Sequence, residues 1–424
     1  MTKRFILLLG ANQFQRERAL VGAERAFKGV VVTVSSLAPF HTNKYPSITI
    51  YSNENNPEQL LIDVIEFCSK TKMEPMAVIP LNDFVLNAGL KIAEYFKLPY
   101  NSKETIENCR TKDLMKSILA SAKLPVVPSF RFSDLNEAKL LTKKIGYPLV
   151  IKPLNFGGSG GVIKVENEEE LSNIILQTEE HLNKFAKKYD SDSKIMLLEP
   201  YISIKREVSV EVINTPNFRH VIGITDKFLS KEPYFSEVGH LVPSSLYKDI
   251  TIANKIKEAA LKACEALDIL YGMAHVEMKV SSAGEIIIIE VGARTAGDGI
   301  MDLYEKSTQT NIYELHCKSF LNQLSEDDLP EEFINTAAIG YLHPIKGIVA
   351  EIKTETLKNI NLDNVDLISI QTKVDQKIET AKDWSTRYGF VEYTLYKHYN
   401  QFDFDLIKKT DEITKLIFVI KEVK

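Results

Sequence analysis

The chain has 424 residues, 44% apolar and 26% charged, with a formal net charge of −5 at neutral pH. That length exceeds one simple core, the composition is that of a globular protein, and the acidity excludes nucleic-acid binding driven by phosphate neutralisation. Cys68, Cys109, Cys264 and Cys317 lack metal-ligand spacing and are too few for a disulfide framework, and no apolar run approaches the roughly 20 residues of a membrane span, so a cytoplasmic protein without a membrane partner is expected.

Residues 5–9 and 30–36 read as buried strands with a helix between them. Leu60, Leu61, Val64, Ile65 and Cys68 recur at helical spacing in Pro57 to Lys70. A strand at Ala77 to Pro80 and a helix at Asp83 to Phe96 follow, so residues 1–100 alternate strand and helix as a small doubly wound α/β domain does. Gly10-Ala11-Asn12 is not a dinucleotide fingerprint. One helix is expected from about Ser102 to Ala122, ended by Pro125 and Pro128. Another runs from Asp134 to Ile145, and strands lie at Leu149 to Lys152 and Ile195 to Leu198. Glu166 to Glu170 reads as a helix start whose dipole favours acids. Residues 199–320 are expected to hold two helices and a hairpin, one helix running from Asn254 to Leu267. Beyond Pro330 the texture becomes short alternating strands, a β-rich module of its own, with Trp384 and the aromatics of 393–404 in its core.

The hairpin carries the strongest chemical signal. In Ala274-His275-Val276-Glu277-Met278-Lys279-Val280, apolar and polar residues alternate, and Ile286 to Glu290 returns after a turn. Pairing Ser281 with Ile286 sets Val280 opposite Ile287, Glu277 opposite Glu290 and His275 opposite Gly292. Two carboxylates would then lie roughly 5 Å apart and require a cation or a shared proton between them. Arg294 lies four residues past Glu290 on the same face.

Upstream, Lys152 ends a strand that runs into Asn155-Phe156-Gly157-Gly158-Ser159-Gly160-Gly161. Glycines there allow positive φ and expose N–H groups, a nest suited to phosphate oxygens. Leu197-Leu198-Glu199-Pro200-Tyr201-Ile202 is a strand end held extended by proline, a short connector suited to an adenine edge. Glu207 begins the next strand, where it could accept from ribose hydroxyls.

The order Lys112, Lys152, glycine loop, Glu199, Glu207, Glu277, Glu290, Arg294 resembles the ATP-grasp superfamily over nearly the whole chain. The segments 237–244 and 289–298 look like the carboxylate–amine ligase branch that includes L-amino acid ligases. Ile339 to Gly347 looks similar to the third domain of biotin carboxylase and of those ligases. The resemblance implies an α/β fold: a Rossmann-like domain over 1–105, a two-lobed nucleotide clamp over 106–328 (lid lobe about 125–198, second lobe about 199–328) and a β-rich module over 329–424. It implies ATP and Mg²⁺, with Mn²⁺ able to substitute, and small carboxylate and amine substrates, amino-acid-like, joined through an acyl phosphate. A homodimer is compatible with it.

The implied roles follow residue by residue. Lys112 and Lys152 would contact phosphates and the Gly157, Gly158, Ser159, Gly160, Gly161 loop would close over them. Glu199 and the backbone at Ile202 would hold adenine, Glu207 the ribose, and Glu277 and Glu290 the metal. Arg294 would hold the carboxylate, acyl phosphate and oxyanion. His240 would bind substrate or help remove the amine proton, and His275, Glu237 and Asp298 would bind substrate, with Lys227, Phe235 and Tyr304 lining the pocket. Gly292 departs from the family, which often has a metal-ligating Asn there; the small residue would open room beside His275. The other histidines (His41, His181, His220, His316, His343, His398) have no partners at ligand spacing. Competing readings are a bicarbonate-using carboxylase, a non-catalytic ATP-binding regulator and a glycosidase. The last leaves the glycine loop and Lys152 without a role.

Overall fold

A computed structural model describes residues 3–12, 16–37, 47–189, 195–204, 206–359, 362–396 and 405–422; His41 and His398 lie outside them. The chain opens with β1 (Lys3–Leu9), α1 (Glu17–Ala26), β2 (Val30–Ser35), β3 (Ile48–Tyr51), α2 (Pro57–Thr71), β4 (Met73–Pro80) and α3 (Leu86–Phe96). The strands are parallel, in the order β3–β2–β1–β4. Phe5 to Leu9 are buried on both faces, as a central strand between helices requires. Asn56 caps α2 by accepting from the Gln59 N–H, and Pro57 sits at its first turn. β3, an edge strand of four residues, is too short for its periodicity to announce it.

The single helix expected over 102–122 is two, α4 (Lys103–Arg110) and α5 (Lys112–Ser121), parted where Thr111 is extended at φ −105° and ψ 95°. That break puts Lys112 at the head of α5. The next layer holds β5 (Phe130–Phe132), α6 (Leu135–Ile145), β6 (Leu149–Pro153), β7 (Ile163–Val165), α7 (Glu168–Tyr189) and β8 (Met196–Pro200). Its strands are antiparallel in the order β5–β8–β6–β7, and the glycine loop joins β6 to β7. Glu168, Glu169 and Glu170 occupy the first turn of α7.

An eight-stranded antiparallel sheet carries the candidate site. It is built from β9 (Glu207–Asn214), β10 (Arg219–Leu229), β11 (Glu237–Val242), β12 (Gly272–Val280) and β13 (Ile286–Gly292), with α8 (Ile250–Ala266), α9 (Ile300–Thr308) and α10 (Ile312–Phe320), three helices where two are expected. One sheet face is apolar: Val208, Val210, Val212, Val276 and Met278 pack with Ile256, Ala260 and Ala263 of α8. Alternation along β9, β10 and β12 turns Glu207, Glu211, Lys227, His275 and Glu277 to the other face.

The hairpin register is as expected at the site and one residue different at the turn. His275 faces Gly292 and Glu277 faces Glu290, but Val280 faces Ile286 rather than Ile287. Ser281 and Glu285 close a tighter loop, with Ser281 N–H donating to Glu285 O at 2.9 Å. A bulge between Glu277 and Met278 takes up the extra residue.

The remaining elements are β14 (Thr336–Tyr341), β15 (Gly347–Ile352), β16 (Val365–Ile370), β17 (Lys377–Ile378), β18 (Gly389–Leu395), α11 (Leu406–Ile417) and β19 (Phe418–Lys421). The strands after 330 do not form a sheet wholly of their own. The large sheet runs β13–β12–β9–β10–β11–β14–β18–β16, and only β17–β15–β19 stand apart. Among the described residues no helix is long and apolar enough to cross a membrane.

α11 seats directly on β14. A Cβ added at Gly340 would lie 2.1 Å from Thr410 Oγ1 and 2.9 Å from its Cβ. Gly340→Ala is expected to destabilise the protein by about 1–3 kcal/mol through overpacking. A lowered urea midpoint, partly restored by adding Thr410→Ala, is the check.

Candidate active site

The register lays polar side chains in rows across the sheet. Lys227 on β10 neighbours His240 on β11 and Glu207 on β9, and Glu207 neighbours Lys279 on β12. One row on, Ser209 neighbours Glu277, which faces Glu290; beyond that Glu211 neighbours His275, which faces Gly292. Lys227 Nζ lies 2.7 Å from Glu277, 3.1 Å from Glu207 and 3.6 Å from Glu237. Burial disfavours this ammonium, but the three carboxylates outweigh burial and hold its pKa well above the usual lysine range. His275 donates from both nitrogens, Nδ1 to Glu211 at 2.7 Å and Nε2 to Glu277 at 3.1 Å. Burial pulls its pKa down, Glu211 pulls harder, and the result is about 9, an imidazolium at neutral pH. Burial alone would raise the pKa of Glu277; Lys227 and His275 instead hold it well below the carboxylate range. Glu290 lies 3.1 Å from Lys112 Nζ, which also donates to Phe156 O at 2.5 Å, so the head of α5 ties the glycine loop to the hairpin.

A second cluster sits where β6 and β8 end. Glu199, 4% exposed, accepts from Lys116, from Ser129 Oγ at 2.7 Å and from Lys152 Nζ at 2.7 Å. Burial disfavours its charge, yet Lys152 and Lys116 bring its pKa to about 2. Burial and the neighbouring Lys152 push Lys116 down to about 7. The Glu199 carboxylate is thus engaged by lysines, and Ile202 lies half-buried just past β8. Lys116 was not foreseen. Its signal is its position one helical turn after Lys112, on the same face of α5.

The first group opens onto a cavity of about 880 Å³, whose lining does not include Glu199, Lys116 or Lys152. Its lining includes Lys227, His275, Glu277, Glu237, His240, Arg294, Asp298, Gly157 and Gly158. Arg294 Nε donates to Asp83 at 2.7 Å, and Asp83 follows β4. Desolvation works against both charges and the pairing overcomes it, lowering the pKa of Asp83 and raising that of Arg294. The room beside Gly292 is taken by this pair: an added Cβ would lie 3.3 Å from Arg294 Nε and 3.4 Å from Asp83 Oδ1. Glu237 and Asp298 converge on Arg387, which precedes β18. Its Nη atoms donate to Asp298 at 2.7 and 3.0 Å and to Glu237 at 3.1 Å, and the guanidinium stacks 3.9 Å over Tyr341. His240 is fully buried with Nε2 3.4 Å from Asp298, and neither ring nitrogen has a hydrogen-bond partner among the described residues.

Three expectations are corrected. Trp384 belongs to the cavity lining rather than to the core of the last strands, and Gly158, at φ +66°, passes so close that a Cβ would lie 2.7 Å from its ring. Tyr304 is buried outside the cavity lining, its hydroxyl 3.0 Å from Thr225 Oγ1. Phe235 packs near Tyr201 and Lys279, outside the cavity lining. Asp83, Arg16 and Arg387 went unnoticed in the sequence because each meets its partner only through the fold. Of the remaining histidines, His316 is structural, accepting from Met273 N–H at 2.9 Å.

The donors suit a hard cation. Glu277 and Glu290 offer oxygens on adjacent strands, and no group of three or more His, Cys, Asp or Glu among the described residues forms a self-sufficient cage. Such a pair fits an ion that takes its other oxygens from phosphate and water, as Mg²⁺ does.

A glycine-looped lobe set against a sheet bearing paired carboxylates is the architecture of a nucleotide-dependent ligase. An ATP-grasp domain profile matches residues 145–302. The D-alanine–D-alanine ligase of Prochlorococcus marinus strain MIT 9301 is 32% identical over 326 residues, 67% of this chain and 87% of the relative. The alanine–anticapsin ligase of Bacillus subtilis strain 168 is 26% identical over 284 residues, 62% of this chain and 57% of the relative. The L-amino acid ligase structure from Bacillus licheniformis shares the fold, with a TM-score of 0.76 over 100% of this chain and 99% of that one at 23% identity. The chain belongs to the ATP-grasp ligases and is an ADP-forming enzyme of the kind that joins a carboxylate to an amine.

Glu199 yields a pH-dependent prediction. Its folded pKa of about 2 lies below the unfolded value of 4.5, so its contribution is present above pH 4.5 and is lost as pH falls toward 2. Glu199→Gln is expected to cost on the order of 3 kcal/mol at pH 7. In urea unfolding the gap between the two proteins should narrow steadily between pH 5 and pH 3; a constant gap would show that the charge is not the cause.

Proposed function

We propose that this enzyme phosphorylates the carboxylate of one small substrate with ATP and passes the acyl group to the amine of another, forming an amide or peptide bond between amino-acid-like molecules. The observation that carries this is the Glu277–Glu290 pair, with Arg294 on the same face and the glycine loop tied in through Lys112. The names of the two curated relatives, both alanine-using ligases, support amino-acid-like substrates.

In this reading Lys152 and Lys112 face the nucleotide phosphates, and the 157–161 loop lies over them. The connector from Glu199 to Ile202 meets adenine through its backbone, and Glu207 takes the ribose. Glu277 and Glu290 hold Mg²⁺, which when bound neutralises charge on the transferring phosphoryl group. Arg294, fixed by Asp83, presents N–H groups to the attacking carboxylate and then to the oxyanion that forms when the amine adds. Glu237 and Asp298 hold the substrate end opposite. His240, buried beside Asp298, is placed to take the amine proton. Four unpaired cysteines suit a reducing, cytoplasmic setting.

ADP should appear only when an acid and an amine are both supplied. Glu290→Gln should lower that turnover about 100-fold or more while ATP still binds. ADP formation with bicarbonate and no amine would move the assignment to a carboxylase. Gly292→Asn should also depress turnover, about tenfold or more, by displacing Arg294 from Asp83; steady-state ADP release measures it.

A further inference from the structure

Eight side chains lining the central cavity carry a full charge whatever the state of the histidines: Arg16, Lys227, Arg294 and Arg387 against Asp83, Glu237, Glu277 and Asp298. Seven of them are paired. Asp83 holds Arg294, Glu237 and Asp298 hold Arg387, and Glu277 holds Lys227. Arg16 is the exception: among the described residues no carboxylate lies within ion-pair distance of it. Among the described residues its side chain makes one hydrogen bond, Nη1 to Thr295 Oγ1 at 2.9 Å, and Thr295 Oγ1 in turn donates to Leu81 O at 2.8 Å. Arg16 is 7% exposed. A buried guanidinium carries five donors and cannot shed its proton, so leaving it without an anion is costly.

The position of Arg16 says which part of a ligand would reach it. Arg294 is held by Asp83, and Arg16 bonds the next residue along, Thr295; Tyr313, Asp302, Asp83 and Glu54 act on Arg16 from beyond ion-pair distance. The cavity thus runs from Glu277, past Arg294, to Arg16 at the head of α1. A group bound at Arg16 lies beyond the reacting centre. A single positive charge is balanced by a single negative one, which a carboxylate supplies and a phosphate dianion exceeds.

We propose that Arg16 is the receptor for a substrate carboxylate other than the one that is phosphorylated, and so a determinant of which substrates the enzyme accepts. This rests on the ligase reading above. The second carboxylate can sit on the amine or on the acid, and Arg16 recognises it by the same fork in either case.

The test starts from the acid–amine pair that gives most ADP with the whole enzyme. In one arm the carboxylate of the amine substrate is replaced by its carboxamide; in the other, an acid bearing a second carboxylate is compared with its half-amide. In one arm the carboxylate form should have a KM about 10- to 100-fold lower than the amide, the worth of a charged hydrogen bond. Arg16→Ala should collapse that ratio toward one, and Arg16→Lys should restore part of it. A purely structural role for Arg16 would weaken both forms alike and leave the ratio standing, which would overturn the proposal, as would the absence of discrimination in both arms of the unaltered enzyme. ADP release with no pair at all would instead defeat the ligase reading and this inference with it.

Discussion

Two carboxylates facing one another across a hairpin set the terms for the rest of the molecule. Glu277 and Glu290 repel unless cations stand between or beside them, and the sheet supplies those cations at once: Lys227 and His275 on Glu277, Lys112 on Glu290. Each cation, being buried, then needs an anion of its own. Glu211 answers His275, Glu207 and Glu237 answer Lys227, Arg387 answers Glu237 and Asp298, and Asp83 answers Arg294. The network spreads outward in alternating sign until it joins the N-terminal sheet, the head of α5 and the approach to β18.

That spread explains why the N-terminal sheet and the last strands are where they are. Asp83 and its neighbours follow β4, at the carboxyl end of a parallel sheet, the edge at which such sheets meet ligands. Arg387 and Trp384 arrive just ahead of β18, one clamping the carboxylates opposite Arg294 and the other against Gly158. Ser159 of the loop reaches Glu237 at 3.2 Å, so loop, sheet and C-terminal strands share contacts around one cavity.

The hairpin was legible because a period of two and a turn signal fix register locally, within about twenty residues. What the pattern could not show was the bulge between Glu277 and Met278, which corrects a one-residue error at the turn before it reaches the glutamates. The glycine loop and Lys152 were legible as neighbours in sequence. Arg16, Asp83 and Arg387 were not: an isolated charge has no period, and Asp83 meets Arg294, or Glu237 meets Arg387, across more than a hundred residues of chain. Trp384 reads as core by composition alone; only the closeness of Gly158 shows otherwise. The ATP-grasp resemblance succeeded because it rests on the order of parts, which folding does not scramble.

The continuity of the large sheet bears on the life of the chain before it is an enzyme. β11, which carries Glu237 and His240, is bordered on one side by β10 and on the other by β14, nearly a hundred residues later. On the ribosome, β11 emerges long before β14, and until then its outer row of N–H and C=O groups is an open edge able to pair with another nascent chain. The late strands therefore act as a built-in cover for an aggregation-prone border. Because the same strands are flanked by Arg387, the ion pairs that hold Glu237 and Asp298 form only once that border is sealed, so the site is finished last.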